Sequence, residues 1–312
     1  MKQLAIVIPA FKMDYFRATL DSLAAQTCKD FTVYVGDDCS PSDFRSLVDE
    51  YVDKIDIRYT RFEDNLGGKD LVAQWTRCVD LTNGEPWLWL FSDDDIIGAN
   101  CVKDFFSSLM LDNSYDIYHF NVEIIDANGC VSDHARPFPN VINAEDFYCQ
   151  KETDKLDSFV VEYIFSRKKY ELVGGFQSFN MAWGSDVGTW VKIGREKGIK
   201  TIEGDKVFWR RSGINITTTH SREVDFKKLM TNVDFICWIN SYFGNKKIKN
   251  IGRYILFRYY GYYSLKLSTK ELLEVTNYAI QKGVIYKIHK YLFICLLPFI
   301  RLIKKFKTKI IK

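Results

Sequence analysis

The N-terminal part of the chain alternates between short hydrophobic runs and longer segments with helical spacing. The strand-like runs are residues 4–8, 31–35, 55–60 and 87–91, and the helix-like segments are residues 14–27, 44–52 and 69–81. Continuous apolar runs are typical of strands that are covered on both faces. Because strand and helix alternate strictly, this pattern predicts an α/β fold with a doubly wound, mainly parallel sheet flanked by helices.

The second half of the chain is less regular. Residues 116–122 and 159–165 predict two further strands, residues 185–196 predict a helix, and the chain from residue 221 onward reads as mainly helical. We therefore expect a sheet-bearing domain over residues 1–220 and a helical C-terminal extension over residues 221–312.

Composition narrows the class of protein. The chain has 312 residues, of which 47% are hydrophobic, so a full-sized core can form, and its net charge of +3 argues against nucleic acid as the main partner. The eight cysteines form no CxxC pair and show no zinc-finger spacing, which predicts reduced thiols in a cytoplasmic protein. The N-terminal apolar run is too short for a signal peptide, so we expect no secretion by that route.

Acidic or glycine-bearing turns follow three of the predicted strands, at residues 36–38, 64–68 and 92–95. Ligands of doubly wound sheets bind beyond the carboxyl ends of the strands. Asp93, Asp94 and Asp95 would repel one another unless a divalent cation such as Mg²⁺ or Mn²⁺ joined them. A solvated turn with one aspartate capping the next helix is the alternative.

The other two turns suggest contacts with a nucleotide. Asp37 and Asp38 close a buried strand, and a carboxylate there can accept a hydrogen bond from a nucleobase N–H, although such pairs also cap helices. Residues 64–69 place glycines where backbone N–H groups can approach an anion. This segment matches neither the dinucleotide-binding nor the P-loop fingerprint.

Together these segments resemble glycosyltransferase family 2, the nucleotide-diphospho-sugar transferases with the A-type (GT-A) fold. The matching stretches are residues 6–11, 15–27, 33–40, 65–67, 91–95, 173–176 and 185–186. They lie in the family's order within roughly residues 1–220. The resemblance implies a GT-A domain that binds a nucleotide sugar and catalyses transfer.

The resemblance also implies roles for individual residues. Asp186 is the expected general base, and Asp93, Asp94 and Asp95 are the expected ligands of Mn²⁺ or Mg²⁺. The residues expected to contact the donor are Pro9, Ala10, Asp37, Asp38, Gly67, Lys69 and Asp93. The sequence departs from the family's pattern in two places. Ser185 replaces the family's usual acid, and residues 71–74 replace its frequent Ala-Arg-Asn.

The reaction that the family implies is a single displacement with inversion at the anomeric carbon. The donor would be a nucleotide-diphospho-sugar, with UDP as the default base, and the acceptor a saccharide or lipid-linked saccharide in cell-surface polysaccharide or glycoconjugate synthesis. A non-catalytic sugar-nucleotide-binding homologue or assembly scaffold is the rival interpretation, and Ser185 is its best support. A nucleotidyltransferase is disfavoured because residues 10–14 lack the glycine-rich basic loop of that class.

Three further features each carry two interpretations. Arg210 and Arg211 can assist the diphosphate or form a solvated basic turn, and His220 can reach the same diphosphate. Trp183 can stack on an acceptor sugar or pack in the core. The apolar run of residues 291–300 is followed by six basic residues and no acid over residues 301–312. That tail suits the anionic cytoplasmic surface of a membrane, or else a terminal helix packed on the protein.

Overall fold

The computed structural model describes residues 2–213 and 220–310, with side chains placed as far as residue 304 in the last helix. The strands are β1 Leu4–Ala10, β2 Phe31–Asp37, β3 Ile57–Arg61, β4 Trp87–Leu90, β5 Ile96–Ile97, β6 Ile117–Ile125, β7 Val131–His134, β8 Val141–Ile142, β9 Tyr163–Ser166 and β10 Ile199–Arg210. The helices are α1 Phe16–Ala24, α2 Phe44–Asp49, α3 Leu71–Val79, α4 Cys101–Leu111, α5 Ala144–Glu152, α6 Arg167–Leu172, α7 Ser185–Ile193, α8 Arg222–Phe243, α9 Lys246–Tyr263, α10 Thr269–Gln281 and α11 Lys287–Ile310.

One sheet contains these strands in the order β3-β2-β1-β4-β9-β6-β10-β5, with β7 paired to β6 and β8 paired to β10. The β3-β2-β1-β4 half is entirely parallel, as the alternating sequence pattern predicts. In the other half, β9 runs antiparallel to both of its neighbours. The predicted α/β class with a helix-flanked sheet and a helical C-terminal region is confirmed. The antiparallel direction of β9 and the long strand β10 are details that the pattern did not predict.

The core of the sheet explains why its first strands read as unbroken apolar runs. The side chains of β1 from Leu4 to Ile8 are fully buried, and those of β2 from Phe31 to Val35 are buried as well. Helix α1 covers them with Phe16, Leu20 and Leu23. Burial on both faces requires apolar residues at consecutive positions, which explains the absence of the usual alternation.

The chain divides into two compact units, one of residues 1–178 and 185–213 and the other of residues 179–184 and 214–312. The first contains the sheet and α1–α7. The second contains a short 3₁₀ turn at Asn180–Ala182 and the helices α8–α11. The domain boundary expected at residue 220 stays a prediction.

Within the second unit, α8 and α9 pack closely. A Cβ added to Gly252 would lie 2.6 Å from a methyl carbon of Ile236, so only glycine allows this approach. Helix α10 begins with a capping box, in which Ser268 and Glu271 satisfy each other's backbone N–H groups. Among the described residues, no helix has the length and hydropathy needed to cross a bilayer.

Candidate active site

The loops after β1, β2 and β4 meet at one edge of the sheet. These three strands are parallel neighbours, and the register places Ala10 opposite Asp37 and Val7 opposite Leu90. The backbone N–H of Asp38 donates to the carbonyl of Ala10 at 2.9 Å. The edge where ligands of such sheets bind is therefore the edge that carries the acidic turns.

Asp93 joins the turn after β4 to the loop after β1. Its Oδ2 accepts hydrogen bonds from the backbone N–H groups of Phe11 and Lys12, both at 2.7 Å. The side chain is buried, and burial, followed by repulsion from Asp94, raises its pKa to about 6. The sequence-predicted acid thus also fixes the shape of the neighbouring loop.

Asp94 and Asp95 have different surroundings. The Oδ1 of Asp95 accepts a hydrogen bond from the backbone N–H of Arg210 at 2.6 Å. Burial, followed by repulsion from Asp94, raises the pKa of Asp95 well above its usual range. The Oδ1 of Asp94 accepts a hydrogen bond from the hydroxyl of Ser92 within the same turn.

The guanidinium of Arg210 holds this turn from the far end of β10. It is buried and donates to the carbonyls of Asp94 at 2.8 Å, Asp126 at 2.9 Å and Ala127 at 3.2 Å. It also lies 4.5 Å from the ring centroid of Tyr15. Arg210 is therefore part of the support of the acidic turn rather than a solvated basic turn.

These contacts decide how a metal would fit. Within the described part of the chain, no group of three or more His, Cys, Asp and Glu side chains is arranged to hold a metal ion. Asp93 and Asp95 are each engaged by a different backbone segment, so the turn is not a preformed cage. Mg²⁺ usually takes one or two carboxylates and completes its shell with water and substrate phosphates. The buried carboxylates therefore fit a hard divalent cation that arrives with a diphosphate.

Asp37 connects the end of β2 to β3. Its Oδ2 accepts hydrogen bonds from the hydroxyl of Tyr59 at 2.5 Å and from the guanidinium of Arg61 at 2.6 Å. Its Oδ1 accepts one from the backbone N–H of Ser40 at 2.8 Å. An open depression of about 440 Å³ lies beside these groups and is lined in part by Ser40, Tyr59 and Arg61.

Asp38 points to the loop before α3 instead. Its Oδ1 accepts from the backbone N–H of Leu66 and its Oδ2 from that of Gly67, both at 2.8 Å. The guanidinium of Arg77 donates to Oδ1 at 2.5 Å and also binds Asp64. A Cβ at position 67 would lie 2.7 Å from Oδ2, which explains the glycine. The anion that the Gly67 amide meets in this structure is therefore the carboxylate of Asp38.

The remaining expected donor contacts are more scattered. Pro9 and Ala10 lie at the end of β1 on the same edge as Asp37. Lys69 is exposed, and its backbone N–H donates to the carbonyl of Leu66. The structure thus brings Ala10, Asp37, Asp38, Gly67 and Asp93 together through direct or shared contacts, and it leaves the Lys69 side chain at the surface.

Asp186, the expected base, is in the first turn of α7 and is half-buried. Burial raises its pKa, and backbone N–H groups at the start of the helix lower it by less. Ser185, which replaces the family's usual acid, is fully buried. The carbonyl of Ser185 accepts a hydrogen bond from the Thr189 hydroxyl.

Glu162 is a buried acid that sequence reasoning missed. Its Oε1 accepts from the backbone N–H of Phe159 at 3.1 Å and lies 3.5 Å from Nε2 of His119. Burial raises its pKa well above the usual range, and the charge of Asp186 raises it further. The turn closed by this contact also explains why β9 begins at Tyr163 and not at residue 159 as predicted.

Four other residues around the site were also missed or misjudged: Tyr59, Arg61, Arg77 and Arg210. Arg61 and Arg77 pair with the carboxylates of Asp37 and Asp38 across 24 and 39 positions of sequence, and Arg210 donates to the backbone carbonyl of Asp94 across 116. The number of acids at one sheet edge was a signal that cations must be nearby, but it could not say which ones.

In the second unit, His220 is oriented by a buried carboxylate. Its Nδ1 lies 2.8 Å from Oδ1 of Asp225, which is almost fully buried. Trp183 donates from Nε1 to Oδ1 of Asn232 at 3.0 Å, and the ammonium of Lys228 lies 4.5 Å from its ring centroid. One face of the Trp183 ring is therefore already occupied by a cation.

Comparison with known proteins identifies the family. The model of glycosyl transferase family 2 matches residues 5–169, more than half of the chain. The poly(ribitol-phosphate) beta-N-acetylglucosaminyltransferase TarS of Staphylococcus aureus, from strains Mu50 and MW2, is 32% identical over 108 residues. That stretch covers 33% of this chain and only 18% of the relative.

Solved structures share the fold at low identity. S. aureus TarS 1–349 in complex with UDP-GlcNAc has a TM-score of 0.68 and 16% identity, over 90% of this chain and 81% of that chain. GalNAc-T7 with UDP, GalNAc and Mn²⁺ has a TM-score of 0.51 and 10% identity, over 74% and 47% respectively. Together with the family model, these matches show that the chain belongs to glycosyltransferase family 2 and has its GT-A fold.

Proposed function

We propose that this chain transfers a sugar from a nucleotide-diphosphate donor to an acceptor hydroxyl, with inversion at the anomeric carbon. The observation that carries the proposal is the convergence of the loops after β1, β2 and β4 on one edge of a parallel sheet. Asp93 ties two of these loops together, and Asp38 ties in the loop of Leu66 and Gly67. UDP-GlcNAc is the first donor to test, since the solved TarS structure contains it.

Asp186 is the proposed general base. Asp186 must be ionised to take the proton of the acceptor hydroxyl, and a pKa raised by burial makes its carboxylate more basic than that of an exposed aspartate. No second acid at position 185 is needed for this step, because one carboxylate accepts one proton.

The turn of Asp93, Asp94 and Asp95 is the proposed binding place for Mn²⁺ or Mg²⁺. When bound, such an ion supplies positive charge that offsets the charge of the leaving diphosphate. Arg210 keeps the backbone of the turn in place, and Asp93 keeps the backbone of Phe11 and Lys12 beside it. Pro9, Ala10, Asp37 and Lys69 complete the proposed donor site.

We further propose a saccharide or a lipid-linked saccharide as acceptor, with poly(ribitol phosphate) as a second candidate from the name of the matched relative. The eight free cysteines support a cytoplasmic location, since a reducing compartment keeps thiols unpaired. Nucleic acid is not proposed as a partner.

The test is the metal-dependent release of nucleoside diphosphate from a panel of nucleotide sugars, with and without each acceptor. Turnover should require Mn²⁺ or Mg²⁺ and should be lost in Asp94→Ala. Asp133, an exposed residue of β7, offers a matched control, and Asp133→Asn should react normally. Equal turnover with and without a chelator would contradict the metal assignment.

A sugar-nucleotide-binding homologue without turnover is the second candidate, and buried Ser185 at the position of the family's usual acid favours it. Calorimetric titration with the donor, combined with the turnover assay, separates the two functions. Donor binding without product formation from any donor and acceptor pair would favour the binding protein and would contradict the transferase.

A further inference from the structure

The outward face of helix α11 is apolar. Tyr291, Leu292, Leu296, Phe299, Leu302 and Ile303 are each 51–65% exposed. A helix on the surface of a globular protein normally turns its polar side outward, and one that is apolar all round is normally covered. Side chains of this size in one continuous row are typical of an interaction surface.

The inner face of α11 packs on the other helices of the second unit. Phe293 and Leu297 are buried, and the Phe293 ring lies 4.5 Å from that of Tyr260. Arg301 donates to the carbonyls of Ser264 at 2.8 Å and Leu267 at 3.0 Å. Because these contacts fix the rotation of the helix, the outward apolar row cannot turn inward without breaking them.

The sequence that contains this row carries charge of a single sign. The sequence from residue 275 to residue 312 contains nine lysines and arginines and no acidic residue. Lys287 lies at the start of the helix, and lysines follow the apolar stretch in the sequence at positions 304, 305, 307, 309 and 312. Lys290 and Arg301 are engaged within the protein instead, since Lys290 donates to Asn277 and Arg301 to the carbonyls named above. Apolar side chains between basic ends match an anionic lipid surface, where the cations meet headgroups and the apolar row enters the acyl boundary.

A second copy of the chain fits this face less well. In a two-fold symmetric contact each surface patch faces itself, so the same basic residues would be brought together. The apolar stretch of residues 291–300 is about 15 Å long as a helix, against a hydrocarbon core of about 30 Å, so it suits the membrane surface rather than a span.

We propose that the outward face of α11 binds the surface of an anionic lipid bilayer, with the helix lying in the plane of the interface. Lipid binding stands independently of the proposed function. Only its use, which is to bring the enzyme to a lipid-linked acceptor, rests on that function.

Vesicle co-sedimentation of the full chain tests the proposal. Vesicles of phosphatidylcholine alone are compared with vesicles that also contain about 30% phosphatidylglycerol. Binding to the anionic vesicles should be at least about 10-fold tighter than to the neutral ones and should weaken as salt is raised. Equal binding to the two kinds of vesicle, or no binding to either, would overturn the proposal.

Variants identify the surface. The combined Leu292→Ser, Phe299→Ser and Leu302→Ser variant should lose about 10-fold or more in binding. The matched control combines Met110→Ser, Leu111→Ser and Leu172→Ser, exposed apolar residues of α4 and α6, and should bind as the wild type does. If the first variant fails to fold, Lys305→Glu, Lys307→Glu and Lys309→Glu together test the charge without changing the apolar row.

Two results would assign the face otherwise. Wild-type lipid binding by the triple serine variant of α11 and by the triple glutamate variant would exclude α11 as the lipid-binding surface. A wild-type dimer that the serine variant abolishes, without lipid binding by either, would assign the face to self-association. Donor turnover measured without lipid is a separate readout, so failure of lipid binding does not count against the transferase.

Discussion

Asp38→Asn is the change that best separates a support role from direct contact with the nucleotide. The carboxylate accepts from two backbone N–H groups, of Leu66 and Gly67, and from the guanidinium of Arg77. Asparagine has nearly the same size but offers one acceptor oxygen and one NH₂ group. That NH₂ must face either a backbone N–H or the guanidinium, and all three of these groups are donors.

The expected cost follows from these contacts. A buried N–H left without an acceptor costs about 1–3 kcal/mol. Loss of the ion pair adds about 1 kcal/mol or less, because Arg77 keeps Asp64 as a partner at 2.9 Å. We therefore expect Asp38→Asn to lower the free energy of unfolding by about 1–4 kcal/mol and Tm by about 2–15 °C.

Thermal unfolding and calorimetric titration with UDP, both on the metal-loaded protein, form the assay. Asp64→Asn is the matched control, since Asp64 binds the same arginine but is 58% exposed, and it should change the unfolding free energy by less than about 1 kcal/mol. Nucleotide affinity should fall in Asp38→Asn, because the loop of Leu66 and Gly67 is no longer held. A wild-type Tm with weakened UDP binding would refute the support role and assign Asp38 to the base alone.

Three further predictions concern the other parts of the site. Asp186→Asn should lower kcat about 10²–10⁴-fold with little change in donor affinity. Because the pKa of Asp186 is raised, the acid limb of the wild-type pH profile of kcat should lie above the pKa of an ordinary aspartate, and turnover should grow as the pH rises through that limb. A pH-independent profile would contradict this prediction. Asp94→Ala should abolish metal-stimulated turnover but leave Tm within about 2 °C of the wild type, since its side-chain contact is within the turn; full activity at saturating Mn²⁺ would exclude it as a ligand. Arg210→Lys should lower the unfolding free energy by about 2–4 kcal/mol, because lysine cannot reach three carbonyls at once. Arg211 lies 3.7 Å from exposed Asp133, so the control Arg211→Lys should cost less than about 0.5 kcal/mol. Equal denaturation midpoints for the two variants would contradict the support role of Arg210.

In the N-terminal half of the sheet, the central strands could be predicted because they are buried on both faces and therefore leave continuous apolar runs, whereas the edge strand β3 is only partly buried. β1 and β2 have this pattern, and the helices that follow them in the chain have apolar residues at helical spacing. The antiparallel β9 could not be predicted in the same way. Its pairing with β4 and β6 depends on partners about 45–80 positions away, and four residues carry too little pattern to choose a direction.

The acidic positions of the site could also be identified from sequence, whereas their partners could not. A parallel sheet brings the ends of its strands together, so acids at three strand ends predict one cluster. Which donor each carboxylate meets depends on side-chain direction and on segments that are distant in sequence. The carboxylate of Asp95, for example, accepts a hydrogen bond from the backbone N–H of Arg210, which is 115 positions away.

Asp37 and Asp38 show how much depends on that direction. Successive residues at the end of a strand point to opposite sides, so two adjacent carboxylates serve two different neighbours. Asp37 binds Tyr59 and Arg61 on one side, and Asp38 binds the loop of Leu66 and Gly67 on the other. Each carboxylate has about four lone-pair positions, and the contacts to Asp38 occupy three of them. By this count one position is left for a nucleobase N–H beside the loop contacts, and the UDP titration of Asp38→Asn tests whether a base binds there.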